Sequence, residues 1–279
     1  MPNDIFSKDI FNSILNPNKS ASKAFKLIRT SLPTNQDLFF VSKWHELFDR
    51  YSSARLFIRE AFKDKWSDWE HWFNLSGDKS DEIFKIIFKA ELYETALINY
   101  NILVDLSWTI TYTSSEYILY KFDSQGNVIN AEEVRGLMPI DEAGEILRKL
   151  ENNTTTPTAD NNPFSYLKNA APEFDKSVDI IVEFWKSFSR SNIRGLYNYI
   201  KHKGKPQYKE LYDLSPGRFF SLNIDNKSYP SDIRDVQRII SLKAGLAELV
   251  KFDNEQLFPY LEELIIELNN AVNPSPMIL

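Results

Sequence analysis

The sequence predicts an all-α protein, a multi-helix bundle carrying a small β-hairpin insertion around residues 117–129. Three observations lead there. Glycine is scarce, 8 residues in 279, while aromatics make up 14% of the chain. Apolar residues reach 43%, ample for a packed interior. They recur at three and four residues over long segments, where strands would alternate over short ones.

In chain order, Ile5, Phe6, Ile10, Phe11, Ile14 and Leu15 give a short amphipathic helix over 4–15, stopped at Asn16, Pro17 and Asn18. A second runs over 21–32 and ends at Pro33. A longer helix over 36–63 follows, with Leu38, Val41, Trp44, Leu47, Phe48 and Tyr51 at helical spacing. Trp66, Trp69 and Trp72 read as packed aromatics, because Asp64, Asp68 and Glu70 beside them disfavour a phosphate track. After a turn at 77–80, residues 81–113 form a helix whose apolar positions cover more than one stripe, as expected of a central post buried on several sides.

The hairpin around 117–129 would be the only sheet. A short helix at 141–150 precedes the Asn- and Thr-rich loop 151–163, ENNTTTPTADNNP. Phe174, Val178, Ile181, Val182, Trp185 and Phe188 mark an amphipathic helix that continues through Ile193, Leu196, Tyr197 and Ile200 and is ended by Gly204 and Pro206. Residues 207–229 read as irregular. A helix over 231–251, led by Asp232 and Asp235, and a last one reaching Asn270, with Pro259 either in its first turn or kinking it, close the chain. The expected organisation is a helical region, 1–78, packed on a bundle of residues 79–279.

Composition excludes several function classes. Without cysteine there are no disulfides, thiolate metal sites or cysteine nucleophiles. No HExxH pair, phosphate-binding glycine loop, GxSxG or dinucleotide fingerprint is present, so neither a metal nor a cofactor is expected. The first residues, MPNDIFSKDIF, do not read as a signal peptide, and no apolar run suits a membrane span; a cytoplasmic protein without a membrane partner is expected. The net charge of −6 argues against a protein that coats nucleic acid with its whole surface.

One stretch runs against that charge. Residues 186–209, KSFSRSNIRGLYNYIKHKGKPQYK, hold Lys186, Arg190, Arg194, Lys201, Lys203, Lys205 and Lys209 and no acidic residue. Arg190, Arg194, Asn198 and His202 recur every four residues, a slanted polar row that drifts about 40° per step on a helix. Cations gathered there suit RNA phosphates. A neutral His202 within reach of a 2′-hydroxyl would take its proton while Arg194 or Lys201 stabilised charge on phosphorus, a route needing no metal. The same pattern also fits cations that only complement a helix C-terminus and a solvated loop.

An all-helical chain with Arg194, Asn198, Lys201 and His202 near the end of a long amphipathic helix resembles the HEPN superfamily, whose hallmark is an Arg followed a few residues later by a His. NYIKHKG is similar to the stretch that follows the Arg in several such proteins. The resemblance implies a helical bundle, usually a homodimer in which the Arg and His of two protomers meet. It also implies metal-independent cleavage of RNA in a defence or toxin setting, with an antitoxin or other protein as partner. In that reading Arg194, Asn198 and His202 are the catalytic set, and Lys186, Arg190, Lys201, Lys203 and Lys205 hold RNA phosphates. Eight positions separate Arg194 from His202, which leaves them about 80° apart and about 12 Å along one helix, so a second chain has to complete the site. The alternative is a non-catalytic module that binds RNA or an acidic protein through the same helix.

Overall fold

A computed structural model describes residues 35–63, 80–115, 118–122, 128–133, 172–214, 219–225, 227–232 and 237–272. The helices expected at 4–15, 21–32 and 141–150, the row Trp66, Trp69 and Trp72, and the loop 151–163 lie outside these residues. Among the described residues the protein is an all-α, multi-helix fold.

Helix α1 (Asn35–Ala61) buries Trp44, Leu47, Tyr51, Ala54, Ile58 and Ala61, a stripe of alternating three- and four-residue steps that keeps one face inward. Helix α2 (Ser80–Ser115) is buried over more than a stripe from Ala90 onward: Tyr93, Leu97, Tyr100, Val104, Trp108 and Ile110 all face inward. Three of its buried hydroxyls bond back to carbonyls of the helix itself. Ser107 Oγ donates to the Val104 carbonyl (2.6 Å), Thr111 Oγ1 to that of Ser107 (2.9 Å) and Ser114 Oγ to that of Ile110 (2.7 Å). None of the described helices is long and apolar enough to cross a membrane.

Strands β1 (Ile118–Phe122) and β2 (Val128–Glu133) form the foreseen antiparallel hairpin, with Tyr120 opposite Ala131. It is not the only sheet.

The described residues fall into two units. One contains residues 35–52, 100–191 and 253–272 as far as they are described. In it a 3₁₀ turn, Pro172–Phe174, leads into α3 (Asp175–Phe188), which buries Val178, Ile181, Val182, Trp185 and Phe188. Trp185 meets Trp108 edge-on (centroids 6.0 Å apart), and Phe184 stacks on Tyr260 at 3.8 Å. Tyr260 and Ser107 share a hydrogen bond of 2.6 Å, and burial pushes the Tyr260 hydroxyl well above the ordinary tyrosine range. Tyr51 donates to the fully buried Asp253 carboxylate at 2.9 Å. Asp253 opens one wide π turn, Asp253–Leu257.

The other unit contains residues 53–63, 80–99 and 192–252 as far as they are described. It holds α4 (Asn192–Lys203), β3 (Gln207–Tyr208), α5 (Lys209–Leu214), β4 (Phe219–Ile224), β5 (Lys227–Asp232), β6 (Ile239–Ile240) and α6 (Leu242–Phe252). Helix α7 (Phe258–Val272) belongs to the first unit, and of the two places open to Pro259 it takes the first turn.

Three expectations are corrected here. The helix expected from Phe174 through Ile200 is two helices, interrupted at residues 189–191, where the Ser191 N–H turns back to the Phe188 carbonyl (2.9 Å) and ends α3. Residues 207–229 are not irregular: β4 and β5 make a second hairpin, closed by a two-residue turn in which Asp225 adopts φ 49°. The helix expected over 231–251 begins only at Leu242, because Asp232 ends β5 while Ile239 and Ile240 pair in parallel with Gln207 and Tyr208.

Candidate functional site

Helix α4 carries the centre of the basic stretch. It buries Ile193 and Leu196, and each such side chain taken from water contributes roughly 1.5–3 kcal/mol to holding the helix down. Its end is set by Gly204, whose φ of 101° no other residue type adopts easily, and by Pro206. Asn198, Lys201, His202 and Lys203 are exposed, and Arg194 is half-buried.

The seven residues from Arg194 to Lys201 are two turns, so the two cations stand about 20° apart on one face. Tyr197 lies between them in sequence and in space. The Arg194 guanidinium carbon is 5.2 Å from its ring centroid and Lys201 Nζ is 6.0 Å from it. Both are at cation–π range. Tyr197 was expected on the apolar side of the helix; it is instead half-exposed between two cations.

The other candidates are placed differently. Arg190 is exposed in the turn before α4 and so does not belong to the row of Arg194, Asn198 and His202. Lys186, on α3, forms an exposed ion pair with Glu183 at 2.9 Å. Lys205 follows α4 and bonds to Glu91, with Glu94 3.9 Å away. Burial raises the Glu94 carboxyl above its ordinary range, although the Tyr208 hydroxyl donates to it at 2.7 Å. These bonds fix the chain leaving α4 to α2. Arg194 and His202 lie eight positions apart on one continuous helix, about 12 Å along its axis.

A further cation reaches α4 from elsewhere in its unit. Arg238 Nη2 donates to Asn192 Oδ1 at 3.0 Å, its guanidinium carbon lies 5.8 Å from the Tyr199 ring centroid, and its backbone N–H donates to the Tyr199 hydroxyl at 3.1 Å. The Arg238 carbonyl accepts from the Gln207 N–H at 2.8 Å, so the β3–β6 pairing delivers this residue. No local motif in the sequence marks it.

His45 is exposed on α1, and His71 lies outside the described residues. Among the described residues no group of three or more His, Asp or Glu is gathered in a metal-ligating arrangement. No protein-family model, curated protein or solved structure matches the chain.

Proposed function

We propose that α4 binds single-stranded RNA, with Arg194 and Lys201 on phosphates, Tyr197 stacking on a base, and Asn198, His202 and Lys203 extending the surface. The observation that carries this reading is the half-exposed Tyr197 ring flanked by Arg194 and Lys201. Single-strand binders combine an aromatic face for bases with cations for the backbone, whereas an acidic protein would need only the cations. In a fluorescence anisotropy titration with a labelled single-stranded RNA, affinity should fall linearly on a log–log plot against salt. Tyr197→Leu should weaken binding by about 1–3 kcal/mol. Binding of polyglutamate in place of RNA would transfer the surface to an acidic protein partner, and binding of neither would end the reading.

Exposure of His202 beside Lys201 and Lys203 at the end of α4 favours a second, catalytic reading on the same surface. Here His202 of one copy and Arg194 of another act on one phosphodiester of a homodimer, the 2′-oxygen displacing the 5′-oxygen to leave a cyclic phosphate. RNA incubated with the protein in EDTA should then acquire cyclic phosphate ends, and His202→Ala should abolish them. Intact RNA under those conditions leaves binding as the sole activity of α4.

A further inference from the structure

The RNA-binding reading of α4 leaves one feature of the helix unexplained. Gly195 lies in the first half of α4 and is exposed. A Cβ added there would meet nothing within 4 Å, and Gly195 is not among the residues of positive φ. Neither close packing nor backbone conformation requires glycine here, although glycine weakens a helix relative to alanine.

The surroundings of this gap are polar. On the helix surface the neighbours of Gly195 three and four residues away are Asn192, Asn198 and Tyr199, with His202 a turn beyond Asn198. Asn192 and Tyr199 are two turns apart, about 10 Å. Arg238 spans them, its guanidinium bonded to Asn192 Oδ1 and lying 5.8 Å from the Tyr199 ring centroid. The Asn192 amide donates in turn to Glu248 Oε2 at 2.9 Å, which fixes its oxygen toward Arg238.

We propose that the open space over Gly195 seats one phosphate of the bound RNA strand, with Arg238 as its cation; this rests on the RNA-binding reading above. A guanidinium is a planar fork that matches phosphate oxygens, and its bond to Asn192 Oδ1 employs one of its five N–H donors. Glycine lets the phosphate approach the helix backbone more closely than any side chain would allow. Around the helix Arg194, Asn198, His202, Gly195 and Tyr199 follow one another over about 140°. A strand gripped by Arg194 and Lys201 on one side and Arg238 on the other therefore crosses the helix over Gly195.

The test is an anisotropy titration of the full chain with a fluorescein-labelled single-stranded RNA, paired with thermal unfolding. Gly195→Ala is expected to weaken binding about tenfold, because the methyl lifts the phosphate away from Arg238. Its salt slope should flatten by up to about 0.7, since the phosphate lifted from its seat also leaves Arg238, and its melting temperature should equal or exceed that of the wild type. Arg238→Gln is expected to weaken binding and flatten the slope by about 0.7, the value for one phosphate on a single strand. Wild-type affinity in Gly195→Ala, alongside weakened binding in Lys201→Ala, would overturn the Gly195 seat and leave RNA binding by α4 intact. No RNA binding by the wild type would remove both.

Discussion

Two helices of one unit, α6 and α4, each carry a glycine, and the two glycines differ in what surrounds them. A Cβ on Gly245 would lie 2.7 Å from both Cζ and Oη of Tyr93, a ring 2% exposed and held edge-on by Tyr208 at 6.3 Å. A Cβ on Gly195 would meet nothing within 4 Å. Packing accounts for the first, since α6 reaches α2 only because that position has no side chain. It cannot account for the second. The contrast separates a glycine that its neighbours in the fold require from one that they do not.

Four substitutions break or sharpen that contrast. Gly245→Ala should have the largest effect, a destabilisation of about 1–3 kcal/mol from overpacking against the buried Tyr93 ring, read by urea unfolding. Unfolding at wild-type denaturant concentrations would erase the distinction between the glycines.

Glu210→Gln should follow at about 1 kcal/mol, the usual value of a helix N-cap. Its carboxylate accepts from the Leu242 N–H (3.0 Å), the Lys243 N–H (3.2 Å) and the Ser241 hydroxyl (2.9 Å), holding the start of α6. Burial works to raise its pKa, but these hydrogen bonds outweigh burial and keep it below the ordinary 4.5. Because the folded value is the lower one, the stabilisation is complete above the unfolded value near 4.5 and is lost as pH falls through the folded value. The melting-temperature gap between wild type and Glu210→Gln should therefore be constant above that range and close below it.

Gly195→Ala should act in the opposite direction, stabilising by about 0.5–1 kcal/mol because alanine is the better helix former and has open space. A destabilised variant would mean that the gap is needed by the fold itself. Lys201→Ala should have the smallest effect on stability, within about 0.5 kcal/mol, since the side chain is exposed.

The sequence makes the long helices legible because their apolar residues repeat over many turns: the stripe from Trp44 to Ala61 needs no tertiary information. The second hairpin was hidden. No glycine, the residue that signals such turns, stands between Ile224 and Lys227 in the sequence, and residues 219–232 carry polar and apolar side chains in mixed order. The start of α6 was misplaced for a related reason. Ile239 and Ile240 continue a helical pattern in sequence, yet they pair with Gln207 and Tyr208 about thirty residues earlier, a choice only tertiary contacts decide.

The site divides in the same way. Arg194, Asn198, Lys201 and His202 could be read as one surface because they share a helix. Arg190 was assigned to the row since nothing local distinguishes the turn at 189–191 from a helix continuing. Tyr197 was misassigned because tyrosine suits a core and a surface alike. Arg238 is invisible to local reading, lying 46 residues from the Asn192 side chain it bonds to.

The claim on which the rest depends is that the outer face of α4 holds RNA through Arg194 and Lys201. It is tested most directly by the salt dependence of affinity for single-stranded RNA in wild type and in the Arg194→Ala, Lys201→Ala double variant. The account predicts weaker binding with a log–log slope shallower by about 1.4, two phosphate contacts at about 0.7 each, and helical content unchanged. Equal slopes for the two proteins, or no binding by either, would contradict it.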